Sequence, residues 1–105
     1  MSVHFFVRFE PLPGKEADFR EEVLRAVEAT REEVGCLAIH VFEALHAPLM
    51  FAIHSEWIDE SAFEHHAQLP HTVHFLEATR EFLAEPVKGL RSRQIGGGAG
   101  AGAEE

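Results

Sequence analysis

Eight histidines stand among the 105 residues, and imidazole is both a general base near neutral pH and the commonest protein metal ligand. Seven of them fall into two groups, and His46 stands apart in a turn. His65, His66, His71 and His74 bracket Pro70, with His71 and His74 one helical turn apart, while His4, His40 and His54 lie in three separate segments of alternating polarity. Neither group carries a metal signature. No glutamate completes a zincin-like pattern around His71 and His74, His65 and His66 adjoin on opposed faces, and no carboxylate spacing accompanies the other three. Packing and hydrogen bonding account for them, and no metal is expected. Cys36 is the only cysteine. It excludes an intrachain disulfide or a thiolate cluster and reads as a buried structural thiol.

The elements that must position these groups are constrained by size and charge. A chain of this length has room for one domain with one modest core. Its apolar fraction of 46%, with nine phenylalanines, is in the ordinary globular range. No stretch approaches the roughly 18 to 20 apolar residues of a membrane span. Eighteen acidic residues against nine basic ones give a formal charge of −9, which opposes binding to nucleic acid or to anionic membranes. The opening residues enter an alternating pattern without a secretory signal, so a cytoplasmic location is expected.

Val3, Phe5, Val7 and Phe9 alternate with His4, Phe6, Arg8 and Glu10, the period of a half-buried strand. Pro11-Leu12-Pro13-Gly14 breaks it. From Lys15 to Val34, apolar positions Phe19, Val23, Ala26, Val27, Thr30 and Val34 recur at helical steps, and Gly35 stops the helix. Leu37 to Ala44 alternates again, with Leu37, Ile39 and Val41 on one face, and Met50 to Trp57 follows with Phe51, Ile53, Ser55 and Trp57 in phase. These two read as a hairpin. Ser61 and Glu64 have capping-box spacing at the head of a short helix. Pro70 interrupts it and starts a second piece running to about Leu83. Val87 to Ile95 can form a last strand, and residues 96–105 are a Gly/Ala-rich tail to which no function is assigned, leaving residues 1–95 as the domain. The order βαββαβ predicts an α+β, ferredoxin-like antiparallel sheet with strand order 4-1-3-2 and helices on one face.

The other face of that sheet is left bare. It carries Phe6, Phe42, Ala52 and Met50 beside His4, Arg8, His40, His54 and Glu56, a surface more apolar than a monomer usually leaves wet. A homodimer through this face is expected.

The runs Pro13-Gly14-Lys15 at the first helix, Gly35-Cys36 before the second strand and Glu56-Trp57 ending the third, followed by His66 and then Pro70-His71, occur in order. Together they make the chain from Val3 to Ile95 resemble the antibiotic biosynthesis monooxygenase domain family. The resemblance implies a dimeric α+β barrel with a pocket in each subunit between sheet and helices. It also implies, for some members, cofactor-independent oxidation of anthrones or quinols by dioxygen. Carried over by position, Trp57, His66 and His71 match the family's pocket-side Trp and its two histidines, and the strand phase independently puts Trp57 on the helix-covered face. A related branch degrades haem with an Asn on the first strand and a His ligand on the last helix. Here those positions are Val7 and Leu76, which counts against haem binding or degradation and leaves it the lesser alternative; no cofactor is expected.

Two functions follow. One is a monooxygenase acting on a small phenolic aromatic, with His66 or His71 taking the substrate proton and Trp57 walling the pocket or hydrogen-bonding a substrate oxygen. The alternative is a non-catalytic small-molecule-binding or stress-associated dimer, because a fold does not determine a function. In that case Trp57 is a core residue and His71 serves the helix start.

Overall fold

The computed structural model describes residues 2–104. Its elements run β1 (Val3–Phe9), α1 (Glu16–Arg31), β2 (Cys36–Glu43), β3 (Phe51–Trp57), α2 (Glu60–His66), α3 (Pro70–Thr79) and β4 (Lys88–Ser92), with a short 3₁₀ turn, Arg80–Phe82, continuing α3. The four strands form one antiparallel sheet in the order β2-β3-β1-β4, the arrangement expected from the βαββαβ pattern. Among the described residues, no helix is long and apolar enough to cross a membrane.

The helices cover the face to which alternation assigns Phe5, Phe9, Phe51 and Trp57, all buried. Phe19 of α1 is the centre of the core. Its ring lies 5.1 Å from Phe9, 5.1 Å from Phe51 and 5.9 Å from Phe75 of α3, and Val23 and Val27 continue the stripe. Burying such side chains contributes about 1.5–3 kcal/mol each. Thr30 and Thr79 are buried at helix ends and return their hydroxyls to the carbonyls of Ala26 and Phe75, so their burial leaves no unmet donor.

Three local expectations are corrected. Helix α1 ends at Arg31, not Val34, because the N–H groups of Glu32 and Glu33 turn to the carbonyls of Ala29 and Thr30 and tighten the chain; Val34 is left 99% exposed. Leu37 does not join Ile39 in the core. The register shifts between Cys36, opposite Trp57, and Ala38, opposite Glu56, a bulge that leaves Leu37 unpaired and exposed. At α2 the cap is Asp59, whose carboxylate accepts from Ala62 N–H at 2.8 Å. The helix begins one residue later, which places Ser61 in its first turn and not at the cap.

The open face carries Phe6, Phe42 and Leu90, each about half exposed, around a histidine cluster. His4 Nδ1 lies 2.8 Å from His54 Nε2, and the His40 ring stacks 6.4 Å from that of His54. The titratable and charged groups on this face are His4 and Arg8 of β1, His40 of β2, Glu56 of β3 and Lys88 of β4, with Arg93 just beyond it. Burial, and then repulsion from His4 and His40, lowers the pKa of His54. Such a ring takes up its proton more readily in the unfolded chain. Its contribution to stability is therefore full above the unfolded value of about 6.5 and is lost as pH falls through the lower folded value. The melting temperature is expected to drop between about pH 7.5 and about pH 5, and to drop less in His54→Gln. Equal drops in parent and variant would assign the acid sensitivity to other groups.

Candidate active site

The turn between α1 and β2 is held by its own backbone. Glu33 N–H donates to Thr30 O at 3.0 Å, and Cys36 N–H donates to Glu33 O at 3.0 Å. Gly35 lets this turn close on α2: a Cβ there would lie 2.5 Å from Ala62 Cβ. The Gly35 carbonyl also accepts from Ile58 N–H at 3.0 Å. Glu33 is thereby fixed opposite the end of α2.

That end is an elbow. Leu69 is extended, as the residue before a proline must be, and Pro70 starts α3. His66, the last residue of α2, and His71, the second of α3, thus approach one another with rings 6.0 Å apart. Both meet the same acceptor. Glu33 Oε2 lies 2.7 Å from His66 Nδ1 and 2.7 Å from His71 Nε2, and the three side chains are only 10%, 14% and 28% exposed for Glu33, His66 and His71. Since the carboxylate oxygen can only accept, the rings donate: Nδ1–H from His66 and Nε2–H from His71. In a neutral ring the other nitrogen, Nε2 of His66 and Nδ1 of His71, then carries the lone pair. Thr72 Oγ1 lies 3.3 Å from His66 Nδ1. His65 and His74 take no part in this group; His74 is 68% exposed and 3.8 Å from Glu22.

His66 also lines a cavity of about 390 Å³ between sheet and helices. Val7, Ile39, Ile53, Phe63, Phe75 and Leu76 make most of its wall apolar, and Ser55, Thr72 and Arg91 add polar groups. Glu33, His71 and Trp57 are not on the lining, so the three residues carried over from the resemblance do not line one pocket together. Trp57 is 1% exposed, its ring 4.8 Å from His66. Its indole N–H donates to Ser55 Oγ at 2.9 Å, which leaves the Ser55 hydroxyl proton free to serve the cavity. Phe63 stacks on Phe5 at 3.6 Å and meets Trp57 edge-on at 5.8 Å, closing the wall. Arg91 sits over Phe5 and Phe63 at 5.6 Å from each ring, its guanidinium 3.3 Å from Glu60 and 3.4 Å from Glu64. Cys36 is half-buried, not buried; burial and the nearby Glu33 push its thiol pKa up, which disfavours the reactive thiolate.

The family model for antibiotic biosynthesis monooxygenase matches residues 2–78. The chain belongs to the antibiotic biosynthesis monooxygenase family. Solved structures share the fold. The protein Rv0793 from Mycobacterium tuberculosis superposes with a TM-score of 0.85 at 20% identity, covering 94% of this chain and 100% of that one. PA3566 from Pseudomonas aeruginosa gives 0.84 at 22% identity, covering 90% and 95%. A structure described as an antibiotic biosynthesis monooxygenase gives 0.84 at 19% identity, covering 90% and 99%. No curated protein matches the chain significantly.

In this antibiotic biosynthesis monooxygenase domain, sequence reasoning missed Glu33, Ser55 and Arg91 as site residues. Glu33 stands beside the Gly35-Cys36 signature, and Ser55 is in phase with Trp57 on β3. Those were the available signals. Because Gly35 sets the distance between Glu33 and His66, Gly35→Ala is expected to destabilise the fold by about 1–3 kcal/mol through overpacking against Ala62, read as a lower urea midpoint. An unchanged midpoint would show that α2 shifts aside freely and that Gly35 does not set the spacing.

Proposed function

We propose that this chain is a cytoplasmic, cofactor-independent monooxygenase that oxidises a quinol, anthrone or similar phenolic aromatic with dioxygen. The observation that carries the reading is His66, a ring on the wall of an apolar cavity whose Nδ1–H is committed to Glu33. A flat aromatic fits the hydrocarbon wall, its hydroxyl meeting His66 Nε2. As the proton moves to Nε2, Glu33 stabilises the imidazolium and His71 holds the same carboxylate in place. The electron-rich anion can then give an electron to dioxygen, a step closed to the neutral phenol. The substrate supplies all four electrons: one oxygen atom enters its ring and the other leaves as water, so the balance calls for no external reductant. Trp57 acts through Ser55, whose hydroxyl is free to donate to a substrate oxygen. Val7 and Leu76 line the cavity as hydrocarbon, which supports phenol oxidation over haem chemistry, since neither can ligate iron.

Oxygen uptake with a panel of quinols and anthrones is the test. On an accepted substrate, His66→Gln is expected to lose roughly 10²- to 10⁴-fold in rate with the fold intact. Glu33→Gln should lose less, because it retains the ring contact but not the charge. A His66→Gln variant as fast as the parent would remove the base role. Absence of oxygen uptake with every member of the panel would leave the non-catalytic small-molecule-binding reading in its place.

The reading includes a homodimer through the open sheet face, where Phe6, Phe42 and Leu90 surround the histidine cluster. Sedimentation at micromolar concentration should give twice the chain mass of 11.7 kDa. Phe42→Asp should give the single mass or unfold, since an unpaired carboxylate in a dry interface costs several kcal/mol. A parent that sediments as a monomer overturns this part.

A further inference from the structure

We propose that Glu33, His66 and His71 form a site for one divalent transition-metal ion of the zinc class, and that an ion held there reverses the hydrogen-bonding sense of His66 toward the cavity. The first part stands by itself; its consequence for turnover rests on the base role proposed above.

Two imidazole nitrogens and one carboxylate oxygen, each from a different element, lie within 4.8 Å of one another. This is a ligand set that zinc accepts while keeping a fourth position for water. The three side chains are largely sheltered, and the two imidazoles meet the same carboxylate oxygen. Their positions are fixed by tertiary structure: Gly35 packed on Ala62 sets one ligand and the Leu69-Pro70 elbow sets the other two. Metal–ligand bonds of about 2.0–2.2 Å hold tetrahedral ligands roughly 3.3 Å apart, so the present 2.7 Å spacings must open by about 0.6 Å. The half-buried His71 side chain at the head of α3 has the most room to give.

The location separates this site from a redox centre facing the substrate. His66 lines the cavity and Glu33 and His71 do not, so an ion bound by all three lies behind the His66 ring. Ligation through Nδ1 uses the lone pair of that nitrogen. The neutral ring must then carry its proton on Nε2, the reverse of the arrangement in which Nδ1–H donates to Glu33. The edge available to the cavity changes from acceptor to donor. The proton lost from Nδ1 and the one gained at Nε2 balance through solvent, and the ring remains neutral. An occupied site therefore leaves no base for a phenol at His66.

The test uses the full chain, stripped with a chelator and titrated with Co²⁺ and then Zn²⁺. Expected are one Co²⁺ per chain with the intense visible bands of a tetrahedral ion, their displacement by one Zn²⁺, and a shift of the His66 proton from Nδ1 to Nε2 in nitrogen-15 NMR. Glu33→Gln and His71→Asn should each weaken binding at least about 100-fold, the upper range for loss of a mere outer-shell partner. His54→Gln, which breaks the close nitrogen pair on the open face, should leave it unchanged. Circular dichroism identifies any variant that has lost its fold, and the other ligand variant then carries the test. No stoichiometric binding, binding indifferent to both ligand variants, or binding lost in His54→Gln would overturn the site. If Zn²⁺ binds and moves the proton while quinol oxidation continues undiminished, the metal site stands and the base reading falls. If His66→Gln abolishes oxidation but neither ion binds, the reverse holds.

Discussion

One carboxylate oxygen accepting from two imidazoles is the interaction on which the candidate site depends. Hydrogen bonds to a charged group contribute about 1.5–3 kcal/mol, enough to fix the tautomer and the tilt of both rings. Holding Glu33 Oε2 at 2.7 Å from each ring requires three features that look unrelated in the sequence. The early end of α1 turns Glu33 inward, the absence of a side chain at Gly35 lets that turn touch α2, and Pro70 bends the chain between the two histidines. Each makes the others useful. A carboxylate without the elbow would meet one ring, and an elbow without the close turn would leave both ring N–H groups to water.

The cavity has a comparable logic. Core packing is dense around Phe19 and loosens over the middle of the sheet, where Val7 of β1, Ile39 of β2 and Ile53 of β3 are only partly covered. A chain of aromatic contacts from Phe5 through Phe63 to Trp57 and His66 keeps that looser region from collapsing, because rigid rings fill space without the rotamer freedom of long side chains. The polar groups are few, chiefly Ser55, His66 and Thr72 with Arg91 over the rings. An apolar ligand would therefore be oriented by its own oxygen atoms and by little else.

The period-2 segments and the single long amphipathic stretch were sufficient to read the sheet, its strand order and which face the helices cover. What escaped was set by distances that no periodicity records. The bulge that turns out Leu37 and the tightening that exposes Val34 are one-residue decisions of the backbone, made by whichever carbonyl is nearest to an N–H. Glu33 lies 33 positions from His66 and 38 from His71, so no motif spacing joins them. Position around Pro70 offered four histidines, and only the resemblance singled out His66 and His71 among them. That Trp57 gives its N–H to Ser55, and so stands one contact back from the cavity, could not be seen without the indole's orientation.

The two histidine groups show how partners, not residue type, decide what an imidazole can do. On the open face His54 meets His4 and His40 beside Phe6, and burial, then these two imidazoles, disfavours a positive charge on the His54 ring. Beside the cavity the partner of both rings is a carboxylate, which becomes a better partner when a ring takes a proton or both rings take a cation. The same residue type thus meets a half-buried, apolar surface in one place and a carboxylate able to balance a positive charge in the other. The sheet keeps them apart, since His4 and His54 point from one side of β1 and β3 and Phe5, Ser55 and Trp57 from the opposite side. A proton taken up by His66, or an ion held behind its ring, would therefore lie on the side of the sheet away from the surface on which a second chain would sit.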